Sequence, residues 1–451
     1  MGLFSEPVLA QDVVINDISI TGNRQSRAAV ILRELVFSKG DTVALPQLQA
    51  VLDVSRNNII NTSLFNYVYV TADTVLNNTA VNVGIKVEER WYIWPVVDLV
   101  FEDRNISTWI RNPDWSRFSV GAGVDIQNMR GLNEKLHVTA RFGYQKGVSL
   151  SYADIALDRA KHHLFGFSAS YNMVHNTAYK TEDNAPLYVT TGDNAIRTRY
   201  SAGINYLFRP GINERHTANI TFEHTSIDDT LITLNRRYWG GANTVRNNIN
   251  VSYSYANDRR DVHFYPLEGT FFKVTGAVDV ALDGSLLTTS VYPEYSFYKT
   301  LAARWFYAGT LNGKVTVANT QAYLTEKALG YGSNYLRGYE DYVMDGHYFA
   351  LMKNTLRFLL MPTKVIEIKW LSGLPKFNKI HFTLYANVFA DIGYVHNKYA
   401  TSGNTFENTF LYSGGAGLDL VTYYDIVVRV DYSVNKRKEG GVYVTLITPF
   451  F

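Results

Sequence analysis

The stretch Leu329-Gly330-Tyr331-Gly332-Ser333-Asn334-Tyr335-Leu336-Arg337-Gly338-Tyr339-Glu340 decides how the rest of the chain is read. Its glycines, Gly330, Gly332 and Gly338, allow positive φ and close backbone approach, so it reads as a folded-in loop with Arg337 at its tip. Its partner is expected further on, in the run from Phe382 to Val395. There Phe382, Leu384, Ala386, Val388, Ala390 and Ile392 alternate with Thr383, Tyr385, Asn387, Phe389, Asp391 and Gly393. A period of two places Asp391 on the more polar face of a strand whose other face is wholly apolar. A loop carrying Arg337 reaches that carboxylate only if the strands enclose a lumen.

The same period runs through most of the chain after Trp91. Phe118, Val120, Ala122, Val124 and Ile126 alternate with Ser119, Gly121, Gly123, Asp125 and Gln127. Leu136, Val138, Ala140, Phe142 and Tyr144 alternate with Lys135, His137, Thr139, Arg141 and Gly143; Tyr424, Ile426, Val428, Val430, Tyr432 and Val434 oppose Asp425, Arg429, Asp431 and Ser433. A soluble sandwich alternates too. Here one face carries charges and small residues while the other stays apolar for the length of each run, which is the pattern of strands with lipid outside and water inside. About sixteen such runs are present, an even number as antiparallel closure of a barrel requires. Connections at 129–133, 209–214, 299–304 and 422–424 are short and expected on the periplasmic side; 176–195, 226–247 and 320–346 are long and expected outside.

Ahead of these runs, residues 12–91 read as a small mixed α+β domain. A strand from Val13 to Ile20 ends at Gly22-Asn23, a helix follows the spacing of Ala28, Ile31, Leu32 and Leu35, and a second helix carries Leu45, Leu48, Leu52 and Ile59. Strands at 67–74 and 80–89 complete the order β-α-α-β-β. Residues 1–11 are expected to be a leader remnant or a disordered start, Val8-Leu9-Ala10 being the small-residue pattern that ends a signal peptide.

Composition agrees. Tyr and Phe number 32 and 24, and both favour strands. A net charge of +2 points to neither nucleic acid nor a basic membrane patch, and the absence of cysteine excludes disulfides and thiolate chemistry. No apolar run is long enough for a membrane helix, which a β-barrel does not need. No metal-binding His pair, P-loop or nucleophile elbow is found: Gly166-Phe167-Ser168-Ala169-Ser170 lacks the final glycine and lies on a strand. Asp228-Asp229 sits in a polar loop, where solvated charge is the ordinary reading. No enzyme and no cofactor are expected.

The Leu-Arg-Gly-Tyr tip at 336–339 and the Phe-x-Asp-x-Gly strand at 389–393 resemble the paired motifs of the BamA and TamA superfamily of outer-membrane assembly and translocation barrels. One departure is visible: Tyr331 separates Gly330 from Gly332 where the family has adjacent glycines. The resemblance implies that Leu336, Arg337, Gly338 and Tyr339 lock onto Phe389, Asp391 and Gly393. It also implies that 12–91 is a POTRA-like periplasmic domain and 92–451 the barrel. Asp258-Arg259-Arg260-Asp261, with Pro266 and Gly269, resembles the periplasmic turn such barrels carry midway. The last strand, from Gly441 and Val442 to Pro449, Phe450 and Phe451, resembles the C-terminal aromatic signal and, with strand 95–101, is expected to form a seam. The implied location is the outer membrane of a Gram-negative bacterium. The implied partners are unfolded outer-membrane or secreted polypeptides, accessory lipoproteins and the lipid bilayer. A passive channel or a structural subunit of a larger complex is the alternative.

Overall fold

The computed structural model describes residues 12–75, 79–101, 118–192, 194–371, 373 and 376–447. The leader-like start at 1–11 and the terminal Pro449, Phe450 and Phe451 lie outside them.

The N-terminal α/β region is a four-stranded sheet of order β2-β1-β4-β3 carrying two helices. β1 (Asp12–Thr21) runs parallel to β4 (Ala80–Glu89), which pairs antiparallel with β3 (Phe65–Val75). The helices are α1 (Ala28–Leu32) and α2 (Leu45–Ile60). Their buried Val30, Ile31, Leu48, Leu52 and Ile59 pack on Val13, Ile15, Val81, Val83 and Ile85 of the sheet. The sequence pattern differs from this on two points. The first helix stops at Leu32, so the buried Leu35 lies beyond it, and a short strand β2 (Thr42–Ala44) pairs with β1. Three residues are too few to display a period.

Sixteen strands among the described residues form one antiparallel sheet. They are β5 (Ile93–Phe101), β6 (Phe118–Met129), β7 (Glu134–Gly143), β8 (Gln145–Ala156), β9 (His163–Val174), β12 (Arg197–Phe208), β13 (Glu214–Ile227) and β14 (Val245–Asp258). The second half comprises β15 (Gly269–Ala281), β16 (Leu287–Ala302), β17 (Trp305–Ala318), β20 (Tyr348–Glu367), β21 (Lys379–His396), β22 (Phe410–Thr422), β23 (Ile426–Asn435) and β24 (Gly440–Ile447). Trp94 at the start of β5 meets Tyr424, just before β23, with ring centroids 4.9 Å apart. The two ends of the sheet therefore approach each other and the sheet curls into a barrel. Val388, Ile392, Val444 and Leu446 are exposed on its outer wall, whereas Asp391, Asp419 and Ser433 are fully buried on the inner one.

Three local differences from the alternation have physical causes. Tyr424 and Asp425 do not lie on a strand: both have positive φ (58° and 62°) in the turn before β23. Tyr144 falls after Gly143, whose φ of +106° ends β7. Within the long connection 176–195, β10 (Asn176–Glu182) and β11 (Ala185–Thr190) form a hairpin. Its turn residues Asp183 and Asn184 both have positive φ, the geometry that Asn and Asp tolerate best. Asp228, in another long connection, caps α3 (Asp229–Leu234) by accepting from the Thr230 N–H.

The α/β region docks on the short turns at one rim. Arg90 forms a buried bidentate pair with Asp425 at 2.7 and 2.9 Å, and Arg209 forms another with Glu34 at 2.8 and 2.7 Å. Between these anchors Asn61 donates to the Asp261 carbonyl and accepts from the His263 N–H, and Arg27 N–H donates to the Gly131 carbonyl. Gly131 has a φ of +72°, and a Cβ there would lie 2.1 Å from the Gln25 oxygen, so only glycine permits the approach. Burial pushes the His263 imidazole down to about 4, against the pull of Asp258, which keeps it neutral at pH 7.

Truncating one member of a buried ion pair strands the other, at a cost of about 3–5 kcal/mol in a dry site. Arg90→Ala is accordingly expected to make residues 12–91 more sensitive to limited proteolysis. The unboiled protein is expected to keep the compact, heat-modifiable gel mobility of the barrel. Unchanged proteolysis would show that the remaining contacts hold the region alone.

Candidate functional site

The connection between β17 and β20 turns inward. It contains α4 (Tyr323–Glu326) and the paired segments β18 (Lys327–Leu329) and β19 (Met344–Asp345). Gly330 follows with φ +85°, and a Cβ on it would lie 2.2 Å from the Tyr342 carbonyl oxygen. Its N–H donates to the Asn334 carbonyl at 2.7 Å, closing a tight turn that holds Tyr331 and Gly332. The extra Tyr331 is used: its hydroxyl donates to Asp345 at 2.6 Å. The apolar side of the loop, Leu329, Leu336 and Met344, packs on Phe349, Leu351, Val395, Phe406 and Leu411. Most of these belong to strands of the barrel wall, so the loop is fixed to the wall by packing as well as by charge.

The Arg337 guanidinium meets Asp391 of β21 side-on: Nε donates to Oδ2 at 2.8 Å and Nη2 to Oδ1 at 2.6 Å. Nη2 also donates to Thr355 Oγ1 at 3.1 Å, and the group lies over the Phe389 ring, 3.7 Å from its centroid. Arg337 is 5% exposed and Asp391 0%. Two parallel charge-assisted bonds plus a stacked aromatic face suit a planar guanidinium and would not suit a lysine.

Small residues make the room for this contact. A Cβ on Gly393 would fall 2.7 Å from Leu336 Cδ1, and one on Gly415, opposite Phe389, 2.6 Å from the Phe389 ring. Gly338 has φ +87°, and its carbonyl accepts from Asn435 Nδ2 at 3.1 Å. The buried Tyr339 donates its hydroxyl to the Tyr412 carbonyl at 3.0 Å and accepts from the Lys436 N–H at 3.2 Å. All seven residues expected in the lock therefore lie in one cluster. Gly441 and Val442 do not: they are on β24, paired with Ser433 and Tyr432, and Val442 is exposed on the outer wall.

A second buried network stands on the same wall, and sequence reading did not find it. Arg429 pairs with Asp419, Nε to Oδ1 at 2.6 Å; Asn387 donates to Asp419 at 3.1 Å, and the Tyr265 hydroxyl donates to Asp419 at 2.7 Å. Tyr265 belongs to the 259–268 turn, which folds into the barrel from the rim that carries the α/β region. The turn itself was visible in the sequence. Its burial was not, because nothing local links Tyr265 to a carboxylate 154 residues away. In both networks every charge faces an opposite charge or a hydrogen-bond partner, so each holds an element in place. Among the described residues no group of three or more His, Cys, Asp or Glu is placed to hold a metal ion.

A model of the Omp85 superfamily domain matches residues 128–348. Among solved structures the chain resembles BamA from Haemophilus ducreyi lacking POTRA domains 1–3, at 16% identity and a TM-score of 0.51 over 96% of this chain and 83% of that one. It also resembles CdiB from Escherichia coli, at 12% identity and a TM-score of 0.55, over 97% and 76%. CdiB from Acinetobacter baumannii matches at 13% and 0.50, over 97% and 74%. None of the curated proteins is similar in sequence. At these identities the structural likenesses carry the fold.

The contact geometry sets a double-mutant test. Arg337→Ala and Asp391→Ala each leave a buried charge without its partner, and each is expected to lower thermal stability by about 3–5 kcal/mol if the site is dry, less where lumen water reaches it. The double variant is expected to be little worse than either single one. Strictly additive losses in the cycle would mean that the two side chains do not interact.

Proposed function

We propose that this chain, a barrel of the BamA/TamA type, inserts polypeptides into the outer membrane of a Gram-negative bacterium or passes them across it. The observation that supports this reading is that elements are held in the barrel mouth from both ends. The Arg337 loop is bound to the inner wall from one side, and the docked α/β region and the Tyr265 turn are bound at the other. The wall's terminal strands β5 and β24 are the two ends of the hydrogen-bonded order among the described residues. A lateral route between them is the one that leaves every lumen contact intact.

In this reading residues 12–91 are a POTRA-like domain in the periplasm, and residues 92–451 are the membrane barrel. β3 is an outer strand of the domain's sheet, and an extended client joins that edge by backbone pairing, which is tolerant of sequence and so serves many clients. The glycines Gly440 and Gly441 at the start of β24 loosen its first pairs, because they bring no side chain to pack. Accessory lipoproteins belong to the same reading as partners, and the activity needs no catalytic residue or cofactor.

The chain has no cysteine of its own, which makes a seam test clean. A cysteine at Val97 and another at Val444, both exposed on the outer wall, are expected to crosslink and to abolish function while the heat-modifiable mobility persists. Full activity of the crosslinked protein would remove the lateral route. Depletion is expected to lower the levels of many outer-membrane proteins together. A change confined to solute uptake would favour a passive channel instead.

A further inference from the structure

β20 and β21 are longer than the strands beside them. β20 has 20 residues and β21 has 18, against 14 for β17 and 13 for β22. Pairing with β17 stops at Trp305 and Phe358, and pairing with β22 stops at Phe382 and Thr422. Beyond these points residues 361–367 pair only with 379–384, so a ribbon projects past the rim that carries the α/β region. Two register shifts, at 359/361 and 361/364, bend and twist it where it leaves the barrel.

The two faces of the ribbon differ. Val365 pairs with His381, and His381 lies edge-on to Tyr67 of the α/β region, with ring centroids 6.2 Å apart. Lys376, next to the ribbon, donates to the Arg90 carbonyl at 2.9 Å. That face looks inward. The other face carries Ile366 opposite Ile380 and Lys364 opposite Phe382. It continues, two residues at a time along β21, the row of Leu384, Ala386, Val388 and Ile392 that forms the outer wall. Beside it the outer wall ends in Trp305 and Phe358, with rings 4.8 Å apart and Arg304 stacked over Phe358. Aromatic residues at such a rim mark the boundary between hydrocarbon and headgroups.

We infer that this ribbon is a membrane-surface anchor: its outward face, with Lys369 and Trp370 at the tip, seats among the headgroups of anionic phospholipids. Val365 and Ile366 are about equally exposed, at 57% and 52%, so what sets the outward face apart is its continuity with the lipid-facing wall; Trp370 at the tip is 83% exposed. The nearby cations Lys364, Lys369 and Lys299 are exposed and take part in no ion pair among the described residues. Glu367 lies on the opposite face, paired in register with Lys379. A protein strand is the poorer occupant. The free edge of 361–367 contains Pro362, which has no N–H to offer, and Lys364, and the two carbonyls just before it, of Leu359 and Leu360, accept from Arg304 at 2.8 Å each. Proline, lysine and bulges are the features that prevent edge pairing.

The inference is independent of what the barrel transports. In the cysteine-free chain, Ile366→Cys, Trp370→Cys and Val365→Cys are each labelled with an environment-sensitive fluorophore. Each variant is placed in bilayers carrying a headgroup-attached quencher, with either phosphatidylcholine alone or added phosphatidylglycerol. Variants are used only if they keep the heat-modifiable mobility. Labels at 366 and 370 are expected to be quenched severalfold more than at 365, and more strongly with the anionic lipid. Lys364→Gln and Lys369→Gln are each expected to lower the seated-to-free ratio by about fivefold. Equal quenching at all three positions, or labels at 366 and 370 that stay in water in both bilayers, would overturn the anchor. Quenching indifferent to anionic lipid would overturn the headgroup assignment. A label shielded from both water and quencher would mean that a protein covers the ribbon.

Discussion

A charge inside a narrow barrel must have a partner. Removing a guanidinium from water costs several kcal/mol, and only a close, hydrogen-bonded counter-charge offsets it. Arg337 is carried into the lumen by a loop between two wall strands, and Asp391 supplies both acceptor oxygens. The rest of the site follows from that need. Phe389 gives the guanidinium a ring to stack on, Thr355 takes a further N–H, and glycines at 393 and 415 clear space that any side chain would occupy.

The α/β region is held by the same physics at the rim. Arg90 with Asp425 and Arg209 with Glu34 are also bidentate and buried, and they sit on turns far apart in the barrel sequence. Two such anchors resist rotation as well as separation, which one would not. Because the anchored turns join different strand pairs, the docked region also ties together parts of the rim that the sheet itself links only through many intervening strands.

Much of this was legible in the sequence because it is periodic or because it depends on glycine. Alternation identified the barrel wall and put Phe389, Asp391 and Gly393 on one face, and the cluster of glycines marked a folded-in loop. What depends on register was not legible. Tyr265 reaches Asp419 only after β14, β15 and β22 have found their places, and no local pattern announces that contact. The ribbon beyond the rim was hidden for the opposite reason: its alternation continues that of the wall, so period alone does not tell where a strand leaves the bilayer. Tyr424 was misplaced because a turn with positive φ can follow an alternating pattern without interrupting it. The added β2 was missed because three residues carry no period at all.

The inward row of β21 joins these parts. Tyr385 lies against Tyr265, with ring centroids 4.9 Å apart, and Asn387 donates to Asp419. Phe389 and Asp391 hold Arg337, and Gly393 receives Leu336. At about 3.3 Å per residue this row spans roughly 26 Å from Tyr385 to Gly393. One end grips a turn that enters from the α/β side, and the other grips a loop that enters from the opposite side. Alternation is what makes this possible: a single strand presents a buried residue every second position, the first of them toward the Tyr265 turn and the last three toward the Arg337 loop, while Val388 and Ile392 between them face outward. β21 cannot slide along β22 by one residue without turning Asp391 outward and leaving Arg337 unpaired. Its register is therefore fixed from inside the lumen as well as by its neighbours in the sheet.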